Sequence, residues 1–389
     1  MKASDKSIYI PYTVTIFIII IELSLSFNSI LLPSLIKTFE VSIAVAEMSM
    51  SISFFSLGVA GIVYASLSNS FGRKPILIFS VILFCVSTCL CAISGNIGSF
   101  LLARFLQGIA SGAGWVIGNA CIKDVYHGTQ YVRIMNVIHA IAGIVPAVGP
   151  IIGSYLIYYF SWRICCWFIF CIASIYSIFM FYFHVETIRI KDQFKYLLYL
   201  EDYIDLFRSR QFVIYCFVKV LMVSLLFAEV SILPLIFIEY LAVKQVNYGF
   251  YVFPVFMVYI ITIMVNQLLP KIRLEKLVMI GLKSIILSNF LILVLSLFYS
   301  LSALNIQLLK SFCYIGWAMI FGNCTAQIVS AIENKSAIAA AVMIVLEMFV
   351  SAISVTIVTF FFDSTIIPLS VYMLIITILS YMVFSIYKP

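Results

Sequence analysis

The chain has 389 residues, of which 64% are hydrophobic and 10% charged, with a formal net charge of +7 and a mean hydropathy of +1.17. A soluble domain of this size cannot hide so much apolar surface, so the composition indicates an integral membrane protein. The excess positive charge is a topology signal, because a nucleic-acid footprint would need a soluble basic surface, and nucleic acid is not an expected partner.

Dividing the chain at its polar punctuation gives twelve runs long enough to cross a bilayer: 10–36, 44–67, 75–94, 98–122, 133–159, 163–184, 211–238, 246–269, 276–299, 302–330, 335–361 and 365–387. The expected fold is all-α, because a transmembrane barrel would show short alternating segments instead. The first run is long, carries Glu22 and has no small-residue cleavage site after it, so it reads as a retained helix and not a signal peptide. Between runs two and three lies "NSFGRKP" at 69–75, a polar, turn-forming and basic stretch. Gly72 and Pro75 suit the end of one helix and the start of the next, and Arg73 and Lys74 suit the headgroup level.

The longest polar interval, 186–211, mixes both charge signs with apolar residues at near-helical spacing, as in an amphipathic helix on the membrane face. It divides the chain into a six-helix bundle at 1–186, a linker at 187–210 and a second six-helix bundle at 211–389, the organisation of two repeated transporter halves. A short echo supports the repeat, with "GWVIGN" at 114–119 in run four and "GWAMIFGN" at 316–323 in run ten.

Sixteen Lys and Arg, from Lys2 and Lys6 through Arg189, Lys191, Lys195, Lys271 and Lys335 to Lys388, fall on one side of the membrane. Only Lys37, Arg163 and Lys244 fall on the other, which places both termini in the cytoplasm. All ten cysteines lie in the apolar runs, where thiols pack as small hydrophobes, and Cys165 and Cys166, as helix neighbours, are expected to point apart. The three histidines are far apart in sequence, and no nucleotide loop or hydrolase pattern occurs, so neither metal, cofactor nor enzyme activity is expected.

Ionisable residues inside spans default to functional sites, with snorkelling or a structural pair as the alternative. Glu22 is central in span one, with Ser26 one turn on and Asn28 beyond, and is the expected proton carrier. Arg104 in span four shares a helical face with Gln107, Gly108 and Gly112, whose small residues admit a neighbouring helix. Gly143, Pro146, Gly149, Pro150 and Gly153 let span five bend and pack closely. In the second half, Lys219 and Glu229 are three turns apart on span seven, Lys310 lies on span ten and Glu347 at the middle of span eleven. Lys219 and Lys283 are each about two turns from a helix end, where snorkelling is as good a reading as function.

"FGRKP", "ARFLQGIASGAG" in span four, "GIVPAVGPIIGSYL" in span five, "SWRICCWFIF" opening span six and "SILPLIFIEYLAVKQVNYGFYVFP" in the second half occur in an order that resembles the major facilitator superfamily. Within it, the likeness is to the twelve-span drug/proton antiporters of the bicyclomycin and chloramphenicol resistance (Bcr/CflA) type, and it covers nearly the whole chain. The resemblance implies two pseudo-symmetric six-helix bundles whose spans one, four, seven and ten line a cavity, so that Ser26, Asn28, Gln107, Glu229 and Lys310 would border it. It gives Arg104 a role in proton coupling and makes 143–153 the antiporter motif. It also makes Gly72, Arg73 and Lys74 part of a cytoplasmic gate held by charge pairs. Asn69 replaces that gate's usual acid, and Asp124, brought to the same surface by span four with Arg133 close behind, is the expected substitute partner for Arg73. The usual acid of span one aligns with Ser26, so Glu22 is a relocation by one turn.

The reading is therefore a monomeric, proton-coupled exporter of small amphipathic compounds or drugs in the bacterial inner membrane. One alternative is a transporter for a defined metabolite such as an amino acid, sugar or siderophore. A receptor-like relative that no longer transports is another. Tyr251, Tyr259 and Tyr314 are candidate aromatic residues of the substrate cavity.

Overall fold

The computed structural model describes residues 7–188, 205–267, 273–331 and 336–387. Among them are twelve helices long and apolar enough to cross a membrane, and no strand. They are α1 (Ile10–Phe39), α2 (Ile43–Phe71), α3 (Arg73–Ile93), α4 (Ile97–Val125), α5 (Gly128–Tyr159), α6 (Trp162–Phe183), α7 (Arg210–Leu235), α8 (Gln245–Gln267), α9 (Leu274–Phe298), α10 (Ala303–Ser330), α11 (Ser336–Phe360) and α12 (Ile367–Ile386). The amphipathic linker expected at 187–210 falls mostly outside the described residues, as do Lys2, Lys6, Arg189, Lys191, Lys195, Lys271, Lys335 and Lys388.

Local chemistry explains where the helices start and stop. Ser42, Ser209 and Ser302 each accept a hydrogen bond from the backbone N–H three residues on, at Val45, Phe212 and Asn305, which satisfies one otherwise orphaned donor. Asn96 and Ser99 form a reciprocal capping box at the start of α4. Proline opens α1 and α12, where its missing N–H costs nothing. Near the end of α7, Pro234 is followed by a π-helical turn over Ile236–Tyr240, closed by Leu241 N–H on the Ile236 carbonyl at 2.9 Å.

The polar stretch at 69–75 is not a seven-residue turn. Asn69, Ser70 and Phe71 finish α2, Arg73 and Lys74 already belong to α3, and Gly72 alone joins the two helices. Its φ of 108° is what makes so abrupt a joint possible, because an L side chain rarely adopts it.

The chain divides into two compact units, Met1–Leu198 and Tyr199–Pro389, with six spanning helices in each. Both units pair their helices in the same way. In the first unit α1 packs on α5, α4 on α2 and α3, and α6 on α3; in the second α7 packs on α11, α10 on α8 and α9, and α12 on α9. The repeat is thus legible as a pairing scheme. The echoed glycines do not occupy equivalent contacts, however: a side chain on Gly114 would meet Phe17 and Ile21 of α1, whereas one on Gly316 would meet Gly281 and Ile285 of α9.

Glycine also sets how closely α4 and α5 approach their neighbours. A Cβ at Gly108 would run into Ser53 and Ser56, and one at Gly112 would lie 3.0 Å from the Leu57 carbonyl, so this face of α4 is pressed against α2. Gly149 and Gly153 do the same for α5 against Ser26, Phe27 and Ile30 of α1, within a helix that also contains Pro146 and Pro150. Gly143 lies on the same helix, six residues before Gly149.

Candidate functional site

Three clusters of charged groups stand out, two in the first unit and one in the second. The first surrounds the Gly72 joint. Arg73 Nε lies 3.3 Å from Asp124 Oδ2, and the Arg73 Nη1 group donates to Ser68 Oγ at 2.7 Å. The ion pair expected from sequence is therefore present. The Asn69 side chain makes no hydrogen bond among the described residues, and Arg133 is exposed and outside the cluster.

The carboxylate that sequence reasoning missed is Glu186, on the segment after α6. It accepts from the backbone N–H groups of Arg73 at 2.9 Å and Lys74 at 3.2 Å, and from those of Thr187 and Ile188. The first two are orphaned donors at the start of α3, so Glu186 caps that helix from a distant part of the chain and complements its dipole. Lys74 Nζ in turn donates to the Phe181 carbonyl of α6 at 3.1 Å, and Thr187 Oγ1 donates to Asp124 at 2.8 Å. The segment after α6 thus places a carboxylate at this joint, and a side chain on Gly72 would collide with it.

Beneath this network His184 is fully buried, with Nδ1 2.8 Å from Thr13 Oγ1 of α1 and Nε2 3.8 Å from Cys121 Sγ of α4. Burial, helped by the positive charge of Lys74, holds its imidazole down to about 4, so it is neutral at pH 7. His184 thereby ties α1, α4 and the end of α6 together as a polar bridge.

The second cluster lies within the first unit. Glu22, half-buried on α1, is hydrogen-bonded by the Trp115 side chain of α4 and has no cation partner among the described residues. Arg104 is 4% exposed and does not reach it. Its Nη1 group donates to Gln107 Oε1 and, at 3.4 Å, to Ser24 Oγ, while Gln107 Nε2 donates to Thr88 Oγ1 at 2.7 Å. Ser26 is buried against Gly149, and Asn28 bonds Ser49 of α2 at 3.1 Å. These two join α1 to its neighbours, α5 and α2.

In the second unit the charges sort into two pairs. Lys310 Nζ lies 2.7 Å from Glu229 Oε2, with both side chains at 0% exposure, and further contacts Asn289 Oδ1 at 3.3 Å and Met373 Sδ at 3.2 Å. The Tyr314 hydroxyl lies beside the same carboxylate, and Tyr248, which the sequence reading did not single out, is close to it. Lys219 Nζ lies 3.0 Å from Glu347 Oε1 and 3.2 Å from Met343 Sδ, both on α11. Lys219 and Glu229, three turns apart on α7, therefore serve two different partners. Lys219 is a buried ion-pair member, whereas Lys283 is exposed and rests on the Tyr381 ring at 5.9 Å. Of the other candidate aromatics, Tyr251 packs on Phe237 and Tyr259 on Phe321.

Twelve spanning helices in two similarly paired sets of six, with acid–base pairs enclosed among them, define a multi-pass membrane transport protein. The chain belongs to the Major Facilitator Superfamily, whose sequence profile matches residues 14–355. It is 30% identical over 280 residues to the chloramphenicol resistance protein CraA of Acinetobacter baumannii, a match covering 69% of this chain and 66% of that one. It is 23% identical over 227 residues to a bicyclomycin resistance protein homolog of Haemophilus influenzae, covering 57% and 56% respectively. The match thus spans less than two-thirds of the length of either relative. Among solved structures, a D-xylose–proton symporter superposes with a TM-score of 0.74 at 14% identity, covering 96% of this chain and 97% of that one, a likeness of fold.

Proposed function

We propose that the protein is a proton-coupled exporter of small amphipathic compounds, in which Glu22 carries the proton and both termini face the cytoplasm. The observation that carries this reading is the contrast among the mid-span carboxyls. Protonating Glu229 or Glu347 must break an ion pair of 2.7 or 3.0 Å. Glu22 is held by an indole N–H and by no cation among the described residues, so it gains or loses a proton without breaking such a pair. Export of drug-like compounds is supported by the names of the relatives, which refer to chloramphenicol and bicyclomycin resistance. Proton uptake at Glu22 and substrate binding then compete as the two halves alternate in access.

The test is substrate-evoked pH change in proteoliposomes, with chloramphenicol and a lipophilic quaternary cation as probes. The wild type is expected to move protons when a probe is added, and Glu22→Gln to move none while still binding it. Coupling that survives in Glu22→Gln overturns the assignment and directs attention to Glu229 or Glu347.

The corner around Gly72 is proposed as the cytoplasmic gate, with Arg73, Lys74 and Asp124 as its working charges. The Arg73–Asp124 pair is partly exposed, with side chains 11% and 26% accessible. Its separation of 3.3 Å and the solvent access of Asp124 suit a contact that opens in each cycle. Asp124→Asn is expected to slow drug efflux from cells severalfold while leaving the thermal unfolding midpoint of the purified protein within a few degrees of wild type. Unchanged efflux would remove the gate from this corner.

A further inference from the structure

We propose that the Arg104 pocket is a binding site for one small inorganic anion of the chloride class. The side chain is 4% exposed, and of its three nitrogens only Nη1 has partners. Nε and Nη2 have no hydrogen-bond partner among the described residues. These two N–H groups lie along one edge of the guanidinium and point the same way, the fork that elsewhere grips a carboxylate or another anion. No carboxylate of the described residues touches it. An uncompensated guanidinium at this depth costs several kcal/mol, so a counter-charge is needed.

A small space adjoins the Arg104 side chain, a cavity of about 20 Å3 bordered by Ser24, Thr88, Cys91, Gln107 and Cys166, with Phe27 and Phe100 among the apolar walls. That is room for about one water or a monatomic ion, and too little for a drug.

Charge, more than hydrogen-bonding capacity, selects between these two. Gln107 Oε1 already accepts from Arg104, and Thr88 Oγ1 accepts from Gln107 while donating to the Phe84 carbonyl. Among the described residues the Ser24 hydroxyl is seen only as an acceptor, which leaves its hydrogen and the Cys91 thiol as donors alongside Nε and Nη2. A water could also bond this wall, through the second lone pairs of Gln107 Oε1 and Thr88 Oγ1, but only an anion offsets the charge of the guanidinium. Cys165 and Cys166, though sequence neighbours, both border the cavity. The site is separate from the proton assignment, because Glu22 takes no part in it.

The test is the thermal unfolding midpoint of the purified full-length protein as sodium chloride or bromide replaces sodium gluconate at constant ionic strength. Chloride and bromide are expected to raise the midpoint saturably by a few degrees, and gluconate, too large for the cavity, to have no effect. Arg104→Gln is expected to abolish the rise. Because that substitution also deprives Gln107 and Ser24 of their donor, Cys166→Met, which fills the cavity and keeps the guanidinium, provides a second arm with the same expected loss. Broadening of the 35Cl resonance by wild-type protein, reversed by bromide, is the direct readout. Equal midpoints in chloride and gluconate, with no broadening, overturn the proposal and leave the cavity to water. A halide rise retained by folded Arg104→Gln overturns it too. Neither result bears on whether Glu22 couples protons.

Discussion

Lys310→Met is expected to destabilise the protein by about 3–5 kcal/mol, the usual consequence of removing one partner from a buried ion pair. Lys310 and Glu229 are both at 0% exposure and 2.7 Å apart, so the substitution leaves a carboxylate enclosed in the second unit. Glu229 Oε1 already lacks a hydrogen bond meeting ordinary geometry, and Asn289 bonds it only through Lys310. What remains nearby is the tyrosine hydroxyls of 248 and 314, which are neutral and cannot offset the charge. The charge-free double variant Glu229→Leu/Lys310→Met is expected to recover most of the loss, because two well-packed apolar side chains replace two desolvated charges. Thermal unfolding of both variants in detergent decides the matter. If the single variant lost less than about 1 kcal/mol, the pair would not be the enclosed ion pair described above.

Gly316→Ala is expected to cost about 1–3 kcal/mol, and Gly316→Val more, because the obstruction is backbone. A Cβ at Gly316 would lie 2.5 Å from the Gly281 carbonyl oxygen, and one at Gly281 would lie 2.7 Å from that of Gly316. The side chains of Ile285 and Ile320 crowd the same points and can shift, but the two carbonyl oxygens cannot, so α9 and α10 must separate. Both carry partners in one polar contact, Asn289 and Lys310, at 3.3 Å. The double variant Gly281→Ala/Gly316→Ala is expected to cost much less than the sum of the singles, since one separation of the helices accommodates both methyl groups. Strictly additive losses in the unfolding midpoint would show that each glycine acts on a different neighbour.

Hydropathy alone was sufficient to find twelve helices, because each span must satisfy its own backbone and therefore writes a long apolar run into the chain. Helix ends were less legible. α2 continues through Asn69, Ser70 and Phe71, beyond the polar residues at which the hydropathy pattern ends the run, and turns into α3 at one glycine of positive φ. The Arg73–Asp124 pair could be inferred because topology delivers α4 and the α2–α3 joint to the same side. Glu186 could not be inferred, because its role is to cap a helix 113 residues away through backbone N–H groups that have no residue-type signature. The pairing of Lys219 with Glu347 and of Lys310 with Glu229 was equally hidden. Sequence spacing relates residues along one helix, and these contacts depend on which helix lies beside it.

The union of α2 and α3 through Gly72 alone has a mechanical consequence. A single residue reaches no further than about 3.6 Å, so there is no slack between the end of one rod and the start of the next. Any force that drags the tail of α2 is passed on at once to the head of α3, and from there, through the Glu186 carboxylate, to the trailing edge of α6. Three spans are yoked at one point.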